Sequence, residues 1–213
     1  SKNKVDTEHI LSHVEDLYEI IPEGEDIPVD VILLNTCGFI GDAKEESIQA
    51  VLEAVEKKQR GEAGKVIVFG CLSQRYANEL PELIPEVDAW FGAREFDPVI
   101  RALGAEPSEE KRASRYLTTP SHYAYLKISE GCDRRCSYCA IPFIRGAHKS
   151  VPMEDLVREA EGLAEAGVSG LRTQSAAAGS DKEGSPSNSP SFRYFSTDFR
   201  MSSRRTIGLV LPR

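Results

Sequence analysis

The chain alternates between segments with apolar residues at helical spacing and short, continuously apolar runs. From Val5 to Ile20, the residues Val5, Ile10, Leu11, Val14 and Leu17 fall close to helical spacing, which predicts a helix. Val29-Asp30-Val31-Ile32-Leu33-Leu34 is β-branched and apolar and predicts a buried strand. After a loop at 35–42, Ile48, Val51, Leu52 and Val55 place one apolar face on a helix over 43–58, with Glu45 and Glu46 in its first turn. Lys65-Val66-Ile67-Val68-Phe69-Gly70 predicts the next strand, and 75–83 a helix limited by Pro81. A strand at 89–91 and a short helix at 98–103 follow. Strands separated by helices predict an α/β fold with a parallel sheet, Rossmann-like in class.

Residues 104–120 read as a charged linker, since Glu106 to Arg112 contains no apolar side chain. Tyr123 to Ile128 alternates as a strand does, and Pro152 opens a helix reaching about Ala166, with Leu156, Ala160, Leu163 and Ala164 inward. Gly167 suits its C-terminal turn. Beyond Leu171 the pattern fails. Residues 172–213 hold nine serines, six arginines and one lysine, and the apolar run 207–211 stands isolated. This composition predicts a disordered tail. The expected division is 1–115, 116–171 and 172–213.

Composition adds exclusions. The net charge of -8, from 34 acids and 26 bases, argues against direct DNA binding and suits a basic protein partner. No apolar run is long enough to predict a membrane span, and the opening residues lack the apolar core of a signal peptide, so a cytoplasmic location is the default expectation. Five cysteines, Cys37, Cys71, Cys132, Cys136 and Cys139, form an odd set. In a reducing compartment such a set points to metal ligation or catalysis rather than to disulfides.

Three of the five lie in Gly131-Cys132-Asp133-Arg134-Arg135-Cys136-Ser137-Tyr138-Cys139, the spacing C-x3-C-x2-C, directly after a predicted strand. Three thiolates on one loop can hold three corners of a 4Fe-4S cube and leave the fourth iron open. Competing readings are a zinc site, which needs a fourth ligand such as His148, an electron-carrying cluster, and three buried cysteines without a metal. Asn35-Thr36-Cys37-Gly38 and Gly70-Cys71-Leu72 each end a predicted strand. Parallel strands share a C-terminal edge, so Cys37 and Cys71 are expected to converge there, although each alone reads as a small buried residue.

The extended stretch Tyr123 to Pro152, YAYLKISEGCDRRCSYCAIPFIRGAHKSVP, resembles the radical S-adenosylmethionine (SAM) methylthiotransferases, and the RimO type within them. The tRNA-modifying MiaB type shares the E-G-C start, but Ala140-Ile141-Pro142, Ile144-Arg145-Gly146 and His148-Lys149-Ser150 favour RimO. The resemblance implies a Rossmann-like N-terminal domain followed by the start of a partial (β/α) barrel. It implies a SAM-binding 4Fe-4S cluster on Cys132, Cys136 and Cys139, with Tyr138 near the adenine. It implies a second, auxiliary cluster held by Cys37, Cys71 and a third cysteine, just before the position that Ser1-Lys2-Asn3 matches. Arg145 and Lys149 read either as solvated charges or as contacts to SAM or substrate. Electron delivery to the cluster, from a donor such as flavodoxin, would cleave SAM to a 5'-deoxyadenosyl radical. The product would be a methylthio group on the β-carbon of an aspartate in a small-subunit ribosomal protein. The resemblance covers about residues 1–171; the remainder reads as a shifted frame or truncation. The expectation is that the chain as written is inactive. The alternatives are a MiaB-like enzyme and a non-catalytic metal-binding remnant.

Overall fold

A computed structural model describes residues 2–22, 27–118, 122–174 and 205–210. The element order is α1 (Lys2–Val14), β1 (Tyr18–Ile21), β2 (Val29–Thr36), α2 (Gly41–Gln59), β3 (Ala63–Gly70), α3 (Cys71–Arg75), α4 (Leu80–Leu83), β4 (Ala89–Phe91) and α5 (Phe96–Ala102). A 3-10 turn at Glu110–Ala113 leads to β5 (Ala124–Lys127), β6 (Ser129–Glu130), α6 (Ile141–Arg145), β7 (Lys149–Ser150), α7 (Met153–Glu165), β8 (Leu171–Gln174) and β9 (Arg205–Val210).

The main sheet is parallel throughout, in the order β1-β9-β2-β3-β4. Its strands are apolar on both faces because helices cover both faces. Val31, Leu33, Ile67, Phe69, Ile207 and Leu209 face α1 and α5, where Ile10, Leu11, Val14, Val99 and Leu103 complete one core layer. Ile32, Leu34, Val66 and Val68 face the other way, onto Val51, Ala54 and Val55 of α2. Alternation with a period of two thus divides one apolar run between two cores.

Several expectations change. The predicted helix over Val5 to Ile20 ends at Val14, and Tyr18–Ile21 is a strand whose Tyr18 hydroxyl donates to the Leu103 carbonyl at 2.9 Å. The 75–83 helix is two short helices, α3 and α4, separated by turns. The disordered-tail expectation fails for 205–210. Ile207 is fully buried, and β9 pairs with β1 on one side and β2 on the other. The apolar run is therefore central rather than isolated. Leu171–Gln174, at the tail's beginning, pairs with β5. The serine-rich stretch 175–204 lies outside the described residues.

Beyond the linker the described residues form two small pieces. β5 and β8 pair in parallel, with α7 between them in sequence. β6 and β7 form a two-residue antiparallel ladder. The linker is tied down, because Arg115 and Thr118 bind the α1 carboxylate Glu8. None of the helices among the described residues is long and apolar enough to cross a membrane.

Candidate functional site

Two cysteine groups occupy different settings, and a buried set of charges joins them. Thr36 pairs with Gly70 in the β2–β3 register, so Cys37 and Cys71 leave adjacent strands at the same level. Gly70 has φ +118°, and a Cβ there would stand 2.5 Å from the Thr36 carbonyl, so this turn into α3 requires glycine. Cys37 is held through its peptide: the Ser47 hydroxyl of α2 donates to its carbonyl at 3.1 Å and accepts from its amide at 2.9 Å. Arg75 donates to the next carbonyl, Gly38, at 2.9 Å. Cys71 is fully buried, and burial pushes its thiol up to about 11, with Arg145 opposing.

The first turns of α1 supply a polar lining to this edge. Asn35 donates to the Asn3 carbonyl at 2.7 Å and to the Thr7 hydroxyl at 2.8 Å. Asn3 donates from its amide to the Thr36 carbonyl at 3.3 Å. Asn3, Asp6, Thr7, Ile10, Leu11 and Val14 recur at helical spacing, so one face of α1 is polar toward the edge and apolar toward the core.

The C-x3-C-x2-C motif lies on the loop 131–148. The β6–β7 ladder closes its base, and the Cys132 amide donates to the Gly146 carbonyl at 3.0 Å. Gly131 has φ +71°, and a Cβ there would collide with the Ala147 carbonyl, so the backbones of the two loop ends meet directly at this glycine. The Cys139 amide donates to the Cys136 carbonyl at 3.1 Å, and the His148 amide to Asp133 at 2.9 Å. Cys136 is exposed, and Cys132 and Cys139 are half-buried. Tyr138 and Phe143 are 91% and 88% exposed. Among the described residues no three His, Cys, Asp or Glu side chains gather as a metal-ligating group. The donor chemistry of the loop, three thiols at this spacing with an open outer face, suits three corners of a cluster. Cys37 and Cys71 offer two thiols, one short of a similar set. His148 Nε2 lies 3.3 Å from the Ser150 hydroxyl on an exposed flank.

Arg145 is 3% exposed, which corrects its reading as a solvated charge. Its guanidinium donates to Cys71 Sγ at 3.2 Å, Asp6 at 2.9 Å, Glu130 at 3.1 Å and Asn3 Oδ1 at 2.6 Å. Lys127 pairs with Asp6, and with Glu130 at 3.0 Å. Burial opposes both positive charges, but Asp6 and Glu130 outweigh it and hold each cation above its usual range. Lys149 is exposed. Further along α1, Glu8 pairs with Arg115 of the linker, which reaches Glu159 of α7 at 2.7 Å and donates to the Tyr125 carbonyl at 2.7 Å. The roles of Asp6, Glu8, Arg115, Lys127, Glu130 and Glu159, and of Asn3 with them, were missed by sequence reasoning because charged side chains ordinarily read as surface. The available signal was the polar half of the helical stripe on α1.

Residues 1–92 match the family model described as "Uncharacterized protein family UPF0004". The chain is similar to proteins named "Ribosomal protein uS12 methylthiotransferase RimO". That of Cytophaga hutchinsonii is 46% identical over 172 residues, 80% of this chain and 39% of the relative. That of Christiangramia forsetii is 49% identical over 171 residues, covering 80% and 38%. That of Chlorobium limicola is 51% identical over 168 residues, covering 79% and 39%. The chain spans about two fifths of the length of these curated relatives.

Proposed function

We propose, from the premise that this chain belongs to the RimO-type methylthiotransferase family of transferase enzymes, that its loop 131–148 binds the cofactors of a ribosomal-protein methylthiotransferase. Cys132, Cys136 and Cys139 hold a 4Fe-4S cluster with SAM on its open iron, and Tyr138 lines the adenine side. The substrate is an aspartate of a small-subunit ribosomal protein, uS12 as in the relatives' names, modified at its β-carbon. Electrons come from a carrier such as flavodoxin, and the setting is cytoplasmic. Residues 1–115, with β9 added, form the methylthiotransferase N-terminal domain, and 116–171 open the radical SAM domain.

The observation that carries this reading is the position of the three cysteines: one loop, closed at its base by backbone contacts and open outward. When bound, the cluster with SAM supplies the one-electron chemistry that makes an unactivated carbon reactive. The chain's own residues do the rest. Gly131 and the Gly146 carbonyl fix the amide of Cys132. The exposed rings of Tyr138 and Phe143 give a surface for adenine or substrate. The acidic net charge favours encounter with a basic ribosomal protein.

The test is anaerobic reconstitution of this chain, with iron and sulfide measured per chain beside a Cys132/Cys136/Cys139 triple alanine variant. About four irons and four sulfides, lost in the triple variant, are expected. Zinc, or no metal at all, overturns the reading. The outer face of the loop is open to water, so this chain by itself is expected to leave the ribosomal protein unmodified, because a reactive site must exclude water. A methylthio product detected by mass spectrometry overturns that expectation.

A further inference from the structure

We propose that Arg145 is a positioning residue that couples the two cysteine sites. Its guanidinium holds the Cys71 sulfur, and the carbonyl next to it in the chain, Gly146, holds the amide of Cys132.

Arginine presents five donors in a rigid planar fork, so its partners fix the plane as well as the charge. Here Nε binds the Cys71 sulfur, Nη1 binds Asp6 and Glu130, and Nη2 binds Asn3. The partners come from α1, the start of α3 and β6, so the fork is set from both parts of the chain. The backbone that carries it has little slack. α6 spans five residues, and its Ile144 is buried with Cys71 and Ala93. One residue later, the Gly146 carbonyl accepts from Cys132 at 3.0 Å. A change at the Cys71 sulfur must therefore either break the Nε bond or shift the fork and, with it, the end of α6. Either response reaches the backbone that seats Cys132. A charge-assisted bond to sulfur strengthens when the sulfur carries more negative charge, so ligation or covalent modification of Cys71 changes the strength of this link. The inference rests on the proposed function only in taking Cys132 as a cluster ligand; the link itself lies in the protein part of the chain.

The experiment is amide hydrogen exchange at Cys132, read by mass spectrometry on the reduced, metal-free chain. Wild type is compared with Cys71→Ala, Arg145→Lys and the double variant. Cys71→Ala removes the sulfur and leaves every charge paired. Arg145→Lys keeps the positive charge beside Asp6 and Glu130 but lacks the fork. Each is expected to accelerate exchange at Cys132 about tenfold (~1.4 kcal/mol). The double variant is expected to exchange no faster than the faster single one, because both changes cut the same link. A wild-type rate at Cys132 in Cys71→Ala overturns the coupling, whatever the Arg145 variants do. Full rescue by lysine overturns the role of the fork. Rates that multiply in the double variant overturn a shared path. A purely structural role for Arg145 would accelerate exchange throughout the sheet, whereas the coupling predicts that amides of β3 and β9 keep their wild-type rates. Iron per chain after reconstitution is measured separately: a chain that takes up no iron but shows this exchange pattern sinks the cofactor reading and leaves the coupling standing.

Discussion

Cys71 and Cys136 are the same residue in two opposite environments. Cys71 sits at the end of a central parallel strand, fully buried, with its sulfur against a guanidinium. Cys136 sits on a loop held mainly at its base, with its side chain in water. The sheet edge is arranged by folding itself: strand register, a glycine turn and the buried Arg145 group place Cys71. The outer loop has few such partners, so protein contacts alone leave Cys136 in water and Cys132 and Cys139 half-buried. One site is thus preorganised by protein contacts; the other, on the function proposed above, would be completed by the group it binds.

The largest expected effect lies on the built side. Glu8 and Arg115 are both buried and paired, and Arg115 also serves Glu159 and the Tyr125 carbonyl. Arg115→Met leaves Glu8 buried without its countercharge and is expected to cost about 3–5 kcal/mol in urea unfolding. Adding Glu8→Leu should recover most of that loss, since an apolar pair replaces an ionic one. If Arg115→Met is neutral, the linker is a tether and the edge is not built by this network.

The strand at 205–210 is the next test. Ile207→Ala removes a fully buried side chain from the core layer shared with α1 and α5, and is expected to cost about 2–4 kcal/mol. A change within experimental error would remove β9 from the sheet and leave the edge with fewer supports.

How much of this could be read in the sequence follows the same contrast. The strands at 29–36, 63–70 and 89–91, the helices α2 and α7 and the cysteine loop were legible because each declares itself within about a dozen residues. β1 was absorbed into a helix because Leu17 continues the spacing of Ile10 and Val14, while the break at residues 15–17 has no glycine or proline to mark it. β9 was misread because its partners, Val31 to Leu34, lie more than 170 positions away in the chain. A local composition rich in serine and arginine carries no trace of that pairing. The burial of Arg115 and Arg145 was not legible, because burial of a charge depends on countercharges from distant elements. The convergence of Cys37 and Cys71 was legible, because parallel register alone brings two strand ends together.

Protonation offers a smaller handle on the built side. Burial, with help from the nearby Arg115 charge, lowers His9 to about 3. The unfolded chain takes up that proton near pH 6.5, so the unfolded state binds more protons between about 6.5 and 3. The His9 contribution therefore stabilises the fold above about pH 6.5 and is lost as the pH falls toward 3. Glu159, held above its usual range by burial, works in the opposite direction. The difference between wild type and His9→Gln isolates the histidine. On acidification from pH 7 to pH 5, wild type is expected to lose about 2 kcal/mol more than the variant. Equal losses would place His9 in water.

The smallest effect belongs to the open loop, and it discriminates most sharply between the two environments. Tyr138 and Phe143 are large, apolar and almost wholly exposed, so removing either deprives the fold of very little buried area. Tyr138→Ala and Phe143→Ala are each expected to change stability by less than about 0.5 kcal/mol. Folding provides no reason for two aromatic rings to stand in solvent beside three cysteines, so any loss in these variants should appear in ligand binding. Isothermal titration of SAM into the reconstituted chain is the measurement. Weaker binding at unchanged stability for Tyr138→Ala supports its place beside the adenine. Destabilisation beyond 1 kcal/mol would show that the loop is packed as part of the fold, and the distinction between a built edge and a ligand-completed loop would collapse.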